Sequence, residues 1–332
     1  MGMGQAQVRS FDGIPGAGNV IQKLRANNWD INKALRTNAT LPRSAWEAID
    51  QTVVEVAGQR LNGIADLQSR GLVRNLDGMG FMYDTWQTMS DSHSAEQSMS
   101  GLTQGAQNTA DYDETTIPLP ITHVDFQIPL RKLMAMEQRG TPLDTTMVAQ
   151  ATRKVIEKLE DTLFNGSTVV AAGNSLLGYM NYTDANQITT LTGSWTGTIA
   201  NCEKDLALLM AELETDRHFG PYILYVHANE WNDLQQRDSS AGGISYYEIL
   251  KSKQGIIDIK PTEALSANDI VLVEMTRETV DITVALDITV VEWETYGGMQ
   301  SNFKVMAVMA PRIKSDYNGR CGVTSDTDIG SS

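Results

Sequence analysis

Residues 75–130 read NLDGMGFMYDTWQTMSDSHSAEQSMSGLTQGAQNTADYDETTIPLPITHVDFQIPL. The stretch holds no Lys or Arg, but it holds eight acids: Asp77, Asp84, Asp91, Glu96, Asp111, Asp113, Glu114 and Asp125. Its middle, Ser90 to Asn108, is small and polar and cannot form a core. The flank Met79–Met89 carries Phe81, Tyr83 and Trp86. The flank Thr115–Leu130 alternates toward strand through Ile117, Leu119, Ile121, Val124, Phe126 and Ile128. Two strand-like flanks around a polar tip predict a long hairpin. Such a hairpin is marginal alone in water. A structureless loop of about 20 residues inside a compact domain also points to function. The hairpin is therefore expected to rest on another surface, and its charge asks for a basic one.

Basic residues follow at once. Arg131, Lys132 and Arg139 precede a helix that carries Arg153, Lys154 and Lys158. The helix is expected after Thr141-Pro142, with Pro in the first turn and Asp144 near its positive end. Val148, Ala151, Val155, Leu159 and Thr162 line one face, and Gly166 ends it. At about twenty-four residues it is long for a globular helix. Residues 167–200 carry one charge, Asp184, and read as short strands and turns. A second helix starts at Asn201, a good N-cap, and runs through Cys202, Leu206, Leu209 and Leu213. Tyr222–Val226 reads as a buried strand leading into a short helix, Ala228–Leu234, and Gly242-Gly243 opens a mobile loop. The end is strand-rich: Ile270–Glu274, Thr279–Leu286, Ile288–Trp293 and Phe303–Met309, with Pro311 as the stop and a loose polar tail to Ser332.

On the other side of the hairpin, residues 44–68 read as a helix. Ser44 and Glu47 form a capping-box pattern, and Trp46, Ile49, Val53, Val56, Leu61 and Ile64 recur at helical spacing. Gly58 and Gly63 weaken it. Residues 1–43 hold Arg9, Lys23, Arg25, Lys33, Arg36 and Arg43 against Asp12 and Asp30, six minus two, or +4. This glycine-studded stretch is expected to be a flexible basic arm.

The whole chain, 332 residues long, carries a formal charge of −15. That argues against a sequence-specific nucleic-acid reader, which presents a net basic face. Two distant cysteines, Cys202 and Cys321, exclude a disulfide framework and a four-cysteine zinc site, and fit a reducing cytoplasm. No apolar run of about 18 residues exists, so no membrane helix is expected. The first twenty residues lack the apolar stretch of a secretory signal. The four histidines, His93, His123, His218 and His227, show no metal-ligand spacing. Cys202 sits on an apolar helix face, and His227 sits at a strand end where a structural bond is commoner. The glycine-rich Gly13–Gly18 lacks the strand before it and the Lys-Ser/Thr after it that a phosphate loop needs. Glu160 and Asp161 are sequence neighbours, expected on different faces of their helix. No G-x-S-x-G elbow occurs. No catalytic, cofactor or metal site is read, and the chain is expected to be a self-assembling subunit rather than an enzyme.

Several stretches carry a family resemblance. Ala45-Trp-Glu-Ala-Ile-Asp50 resembles the opening helix of encapsulin shell proteins, and Leu159-Glu-Asp-Thr-Leu-Phe-Asn-Gly166 resembles the end of their spine helix. Gly173-Asn-Ser-Leu-Leu-Gly178 is similar to the turn that follows, with Ser175 where the second glycine stands. Gly220–Val226, Asn229–Leu234, Ile256–Pro261 and Asp269–Glu274 continue in order, so the resemblance covers residues 44–311. Encapsulins share the HK97-like fold with major capsid proteins of tailed double-stranded DNA phages. The resemblance thus implies an α+β, HK97-like capsid fold. Its parts would be an N-terminal arm (1–43), a first helix region (44–76), an extended E-loop (77–130), a P-domain with a long spine helix (131–200, return strands 288–314), an A-domain (201–287) and a C-terminal tail (315–332).

It further implies a homo-oligomer of pentamers and hexamers in an icosahedral shell, with each E-loop lying over a neighbour's P-domain. On that basis Asp84, Trp86, Asp91, Glu96, Asp113 and Glu114 of the E-loop are expected to face Arg131, Lys132, Arg153, Lys154 and Lys158 of a neighbour. Arg9, Lys23, Arg25, Lys33 and Arg36 of the arm would meet packaged double-stranded DNA through contacts that ignore sequence. The favoured expectation is a phage major capsid protein, located in the virion capsid and assembled in the host bacterial cytoplasm. An encapsulin enclosing a cargo enzyme is the alternative, and an α/β enzyme with a hidden site is the third reading. Portal, scaffold and decoration proteins stay open as partners, and no membrane is involved.

Overall fold

The computed structural model describes residues 43–60, 62–76, 78–91, 97, 99, 109–129, 131, 132, 134, 135, 145–171, 173–188, 195, 199–237, 243–296 and 300–326. The first elements are α1 (Arg43–Arg60), α2 (Gly63–Ser69), β1 (Val73–Asn75), β2 (Tyr83–Met89), β3 (Tyr112–Pro118) and β4 (Ile121–Pro129). Then come α3 (Thr146–Asn165), β5 (Ser167–Ala171), β6 (Asn174–Leu176), β7 (Asn186–Ile188) and α4 (Ile199–Thr215). The rest is β8 (Tyr222–His227), α5 (Ala228–Leu234), α6 (Tyr246–Lys251), β9 (Ile256–Thr262), β10 (Ile270–Glu274), β11 (Val280–Thr295), β12 (Gln300–Ile313) and β13 (Val323–Asp326). Among the described residues no helix is long and apolar enough to cross a membrane.

The chain forms two compact units. The smaller comprises Met1–Val56, His123–Thr152 and Ile288–Met306, and the larger comprises Ala57–Thr122, Arg153–Asp287 and Ala307–Ser332. In the smaller unit β4 lies at the edge of a sheet beside β12, and β12 beside β11. Phe126 of β4 stacks on Phe303 of β12 at 5.1 Å, an offset aromatic pair that fixes the edge strand. Outside that contact, Asp125 reaches Lys304 at 3.5 Å, and Lys304 lies over the Trp293 ring at 5.7 Å.

The larger unit is built on a five-stranded sheet of order β7-β13-β10-β8-β9. β8 pairs antiparallel with β10 and parallel with β9. β8 and β10 are buried on both faces, which is why Tyr222–Val226 and residues 270–273 read as continuous apolar runs rather than alternating ones. On one face Leu224, Val226, Ile270 and Leu272 pack with Cys202, Leu206 and Leu209 of α4, Trp195, and Leu250 of α6. On the other, Tyr225 meets Phe164 of α3 edge-on at 5.1 Å. α3 ends where Gly166 takes φ +72°, and a Cβ there would sit 2.5 Å from the Leu176 carbonyl oxygen, so only glycine fits the turn.

Several expectations are corrected. The helix read over 44–68 is two helices, α1 and α2. The apolar period continues across the break, so the period alone could not reveal it. The long helix has 20 residues, beginning at Thr146. The flank Thr115–Leu130 is two strands: β3 completes the hairpin, and beyond Leu119-Pro120 β4 joins another sheet. Thr279–Leu286 and Ile288–Trp293 are one strand, β11, with Asp287 as an exposed position within it. The last long strand passes through Pro311 to Ile313, because proline's fixed φ suits extended backbone and removes only one donor. The described part of the expected tail, residues 315–326, is not loose, and residues 327–332 lie outside the described residues. β13 lies inside the five-stranded sheet, antiparallel to β10 and parallel to β7, with all four residues buried. Gly242 and the arm, residues 1–42, lie outside the described residues.

Candidate assembly surface

β2 and β3 pair antiparallel from Tyr83 opposite Pro118 to Met89 opposite Tyr112. Alternation gives this hairpin two faces. Asp84 and Trp86 lie on one face, opposite Ile117 and Thr115. Tyr83, Thr85, Gln87 and Met89 lie on the other.

The first face is rooted in the chain by buried charge. Asp84 is 5% exposed. Its Oδ2 accepts from Thr283 Oγ1 at 2.9 Å and from Arg312 Nη1 at 3.3 Å, and its Oδ1 lies 3.3 Å from Arg74 Nη2. Arg312 donates to Asp281 from both Nε (2.7 Å) and Nη2 (2.5 Å), a bidentate fork, and its guanidinium lies 5.4 Å from the centre of the Trp86 ring. Lys314 Nζ adds a 2.7 Å bond to Asp281 Oδ2. Burial alone would push the Asp281 carboxyl up, but the bonds from Arg312 and Lys314 outweigh it and hold the group below the ordinary carboxylate value. Three cations thus meet two carboxylates, so neither acid is left buried without compensation. Farther along, Asn318 donates to Asp91 at 2.9 Å, and β3 runs beside the small β5–β6 hairpin.

The second face is presented outward. Tyr83, Met89 and Tyr112 are 53%, 57% and 65% exposed. With Thr85, Gln87, Thr116 and the exposed acid Glu114 between them they form a mixed strip of aromatic, methionine and polar side chains, while the exposed Asp113, opposite Thr88, lies on the first face. Exposed apolar side chains concentrated on one extended element mark an interaction surface.

The sequence-predicted residues divide accordingly. Asp84 and Trp86 serve the root: Asp84 is buried within its own chain, and Trp86 is covered by Arg312. Asp91, Asp113 and Glu114 are exposed, and Glu96 lies outside the described residues. Arg131 and Lys132 are exposed, as are Arg153, Lys154 and Lys158 on α3. Lys154 and Lys158 already bond acids one turn on, Glu157 at 2.6 Å and Asp161 at 2.7 Å. Burial pushes the Asp161 carboxyl up, but bonds from Lys158 and Asn165 hold it below its usual value. Arg9, Lys23, Arg25, Lys33 and Arg36 lie outside the described residues. Sequence reasoning missed Arg312 and Asp281. A signal was present: each is a lone charge in an apolar strand run, MAVMAPRI and VDITVAL, and a charge in such a run demands a buried partner.

This architecture is similar to that of solved shell proteins. A virus-like particle protein from Pyrococcus furiosus matches at TM-score 0.61 and 16% identity, over 84% of this chain and 98% of that one. The capsid of Myoviridae phage XM1 matches at TM-score 0.63 and 13% identity, over 82% and 94%. A chain of Mycobacterium phage Adephagia matches at 0.53 and 15%, over 79% and 90%. The fold is the α+β, HK97-like capsid fold. The family model described as "Family of unknown function (DUF6260)" matches residues 34–325.

Proposed function

We propose that this chain, which belongs to the DUF6260 family and carries the HK97-like capsid fold, is the major capsid protein of a tailed double-stranded DNA bacteriophage. It assembles, as pentamers and hexamers of itself, into an icosahedral shell around the genome. The observation that carries this reading is the β2–β3 hairpin, fixed at its root by buried ion pairs and presenting Tyr83, Met89 and Tyr112 to solvent. A rooted arm with an uncovered strip that includes Tyr83, Met89 and Tyr112 is what a subunit needs when its neighbour supplies the rest of the burial.

In this reading the strip lies on a neighbouring copy. Asp91, Glu96, Asp113 and Glu114 face Arg131, Lys132, Arg153, Lys154 and Lys158 across that contact, while Asp84 and Trp86 act within their own chain. Each exposed pair contributes little, about 0–1 kcal/mol, but the contact repeats over the whole shell. The division into arm, E-loop, P-domain and A-domain follows the same reading, with β13 assigned to the A-domain sheet instead of to a tail. The arm's Arg9, Lys23, Arg25, Lys33 and Arg36 meet packaged DNA without reading its sequence, while the acidic remainder limits adhesion elsewhere.

Electron microscopy of particles from cells making the full chain, with the 260/280 nm absorbance ratio of the same fraction, tests this. Phage-head-sized shells, filled with DNA in infected cells, are expected. Small uniform shells that hold protein and no nucleic acid would favour the alternative, an encapsulin-type compartment. A chain that never assembles would overturn both.

A further inference from the structure

On the larger unit, α3 borders a cleft of 660 Å³, a size that takes a small molecule. Its walls are Glu157, Glu160 and Asp161 of α3, Trp231 of α5, and the end of β9 at Pro261 with Glu263 just beyond it. Every lining residue belongs to the larger unit, so the site is complete within it. Glu160 and Asp161, expected on different faces, both line it, because neighbours on a helix stand only about 100° apart and this cleft is wider than that.

The walls are held in place. Asn62 donates to the Pro261 carbonyl at 2.8 Å, and Asn165 to the Ala264 carbonyl at 2.7 Å. Trp231 is set edge-on against Tyr247 at 5.4 Å. The acids differ in depth. Glu160 is 6% exposed; its Oε1 accepts from the Gly63 N–H at 2.7 Å, while its Oε2 has no hydrogen-bond partner. The nearby charge of Asp66 opposes its ionisation, and Lys260 is bonded to Asp66. Toward the rim Glu157 and Asp161 are half-buried, and each meets a lysine of its own helix, Lys154 and Lys158, in a weak surface pair. A carboxylate has about four acceptor sites, so both keep capacity for a further donor.

A buried carboxylate oxygen without a partner calls for a donor that also brings positive charge. The indole in the same cleft offers an alkylammonium both apolar cover and an aromatic face. Glu157 stands three residues before Glu160, about 5 Å away along one side of the helix, so a second ammonium a few carbons from the first can meet it. Among the described residues no three His, Cys, Asp or Glu stand close enough to share a metal ion, so an organic cation fits better than a metal. We propose that the α3–α5 cleft binds a linear diamine or oligoamine, with one ammonium on Glu160 Oε2, the alkyl chain along Trp231 and a second ammonium at Glu157. This assignment does not depend on the chain building a shell.

Calorimetric titration of the full chain with putrescine, in phosphate buffer free of other amines, tests it. Putrescine is expected to bind about tenfold tighter than butylamine, which carries one ammonium. Glu160→Gln is expected to weaken putrescine binding at least about tenfold, whereas Glu278→Gln, the same loss of charge at an exposed position outside the cleft, leaves it unchanged. Glu157→Gln, a change near the surface, should erase the margin over butylamine, which keeps the test sound if the first variant perturbs the fold. The pH profile is a further readout. Besides the rim acids, Glu160 faces Asp66 with its partner Lys260 and the phenols of Tyr179 and Tyr225, which burial keeps protonated. Burial pushes the Glu160 carboxyl itself up to about 7, so below that pH an ammonium must displace its proton. Affinity should then fall about tenfold per pH unit on acidification from about 7 to about 5. No binding, equal affinity for the two amines, an equal loss in Glu160→Gln and Glu278→Gln, or a flat pH profile overturns the proposal.

Discussion

Asp281 and Glu160 are two carboxylates of the same compact unit, 2% and 6% exposed, with opposite fates. Asp281 has two cations on it, Arg312 and Lys314, and its carboxyl is held below the ordinary value. Glu160 has amide hydrogens, an acidic neighbour in Asp66 and, among the described residues, no cation, and burial pushes its carboxyl up to about 7. Burial alone does not decide how a carboxylate behaves; the charge brought to it does. A saturated acid is structure. An acid that the fold leaves half-satisfied is an opening for something else.

Breaking the saturated site should have the largest effect. Arg312→Ala leaves Asp84 and Asp281 buried without their shared cation and should cost about 3–5 kcal/mol, read as a loss of urea midpoint and of assembled particles. An unshifted midpoint would show that the root cluster does not hold the hairpin.

The unsaturated site should respond with the opposite sign. The unfolded Glu160 titrates near 4.5 and the folded one near 7. Between those values the unfolded chain has released a proton that the folded chain keeps, so stability falls as pH rises from 4.5 to about 7 and is flat above. Glu160→Gln should remove this slope and raise stability at pH 8 by up to about 3 kcal/mol. A slope that survives in denaturation curves of the variant would place the titrating group elsewhere.

Gly63→Ala sharpens the same site from its other side. A Cβ there would sit 2.6 Å from Leu163 and 3.2 Å from Glu160 Oε1, so about 1–3 kcal/mol of overpacking is expected in thermal melts. Arg153→Glu with Lys154→Glu should shift the stability of the single chain least, by about 0.5 kcal/mol or less, because both are exposed. It should nonetheless lower shell yield, most visibly at low salt, in sedimentation of the assembled fraction; equal yields would remove these residues from the contact.

The fold was legible where local pattern and packing agree. Tyr222–Val226, the α3 stripe and the Gly166 stop are of this kind, since a buried strand must be apolar throughout and a helix facing one layer must repeat at 3.6. The hairpin was legible from polarity and the absence of basic residues, although Leu119-Pro120, where its second flank leaves for another sheet, was not. β13 escaped because its Thr-Ser-Asp carries no apolar period, and only the partners β10 and β7 make it a strand. The candidate site was half legible. Exposed charges such as Asp113 and Lys154 can be seen in composition. The pairing of Asp84 with Arg312, 228 residues apart, is a fact of topology that no local window contains.

The lack of Lys and Arg between Asn75 and Leu130 also decides which reagents can report on the hairpin. Trypsin cannot cut within it, so resistance to trypsin there carries no information about packing, and a complete digest returns residues 75–131 as one fragment. Amine-to-amine cross-linkers find no lysine on it and will draw a contact map of any particle with the hairpin erased. Its aromatic residues and its acids remain addressable. Chymotrypsin at Phe81, Tyr83 and Tyr112, with Glu-specific cleavage at Glu114, would register whether a neighbour covers it.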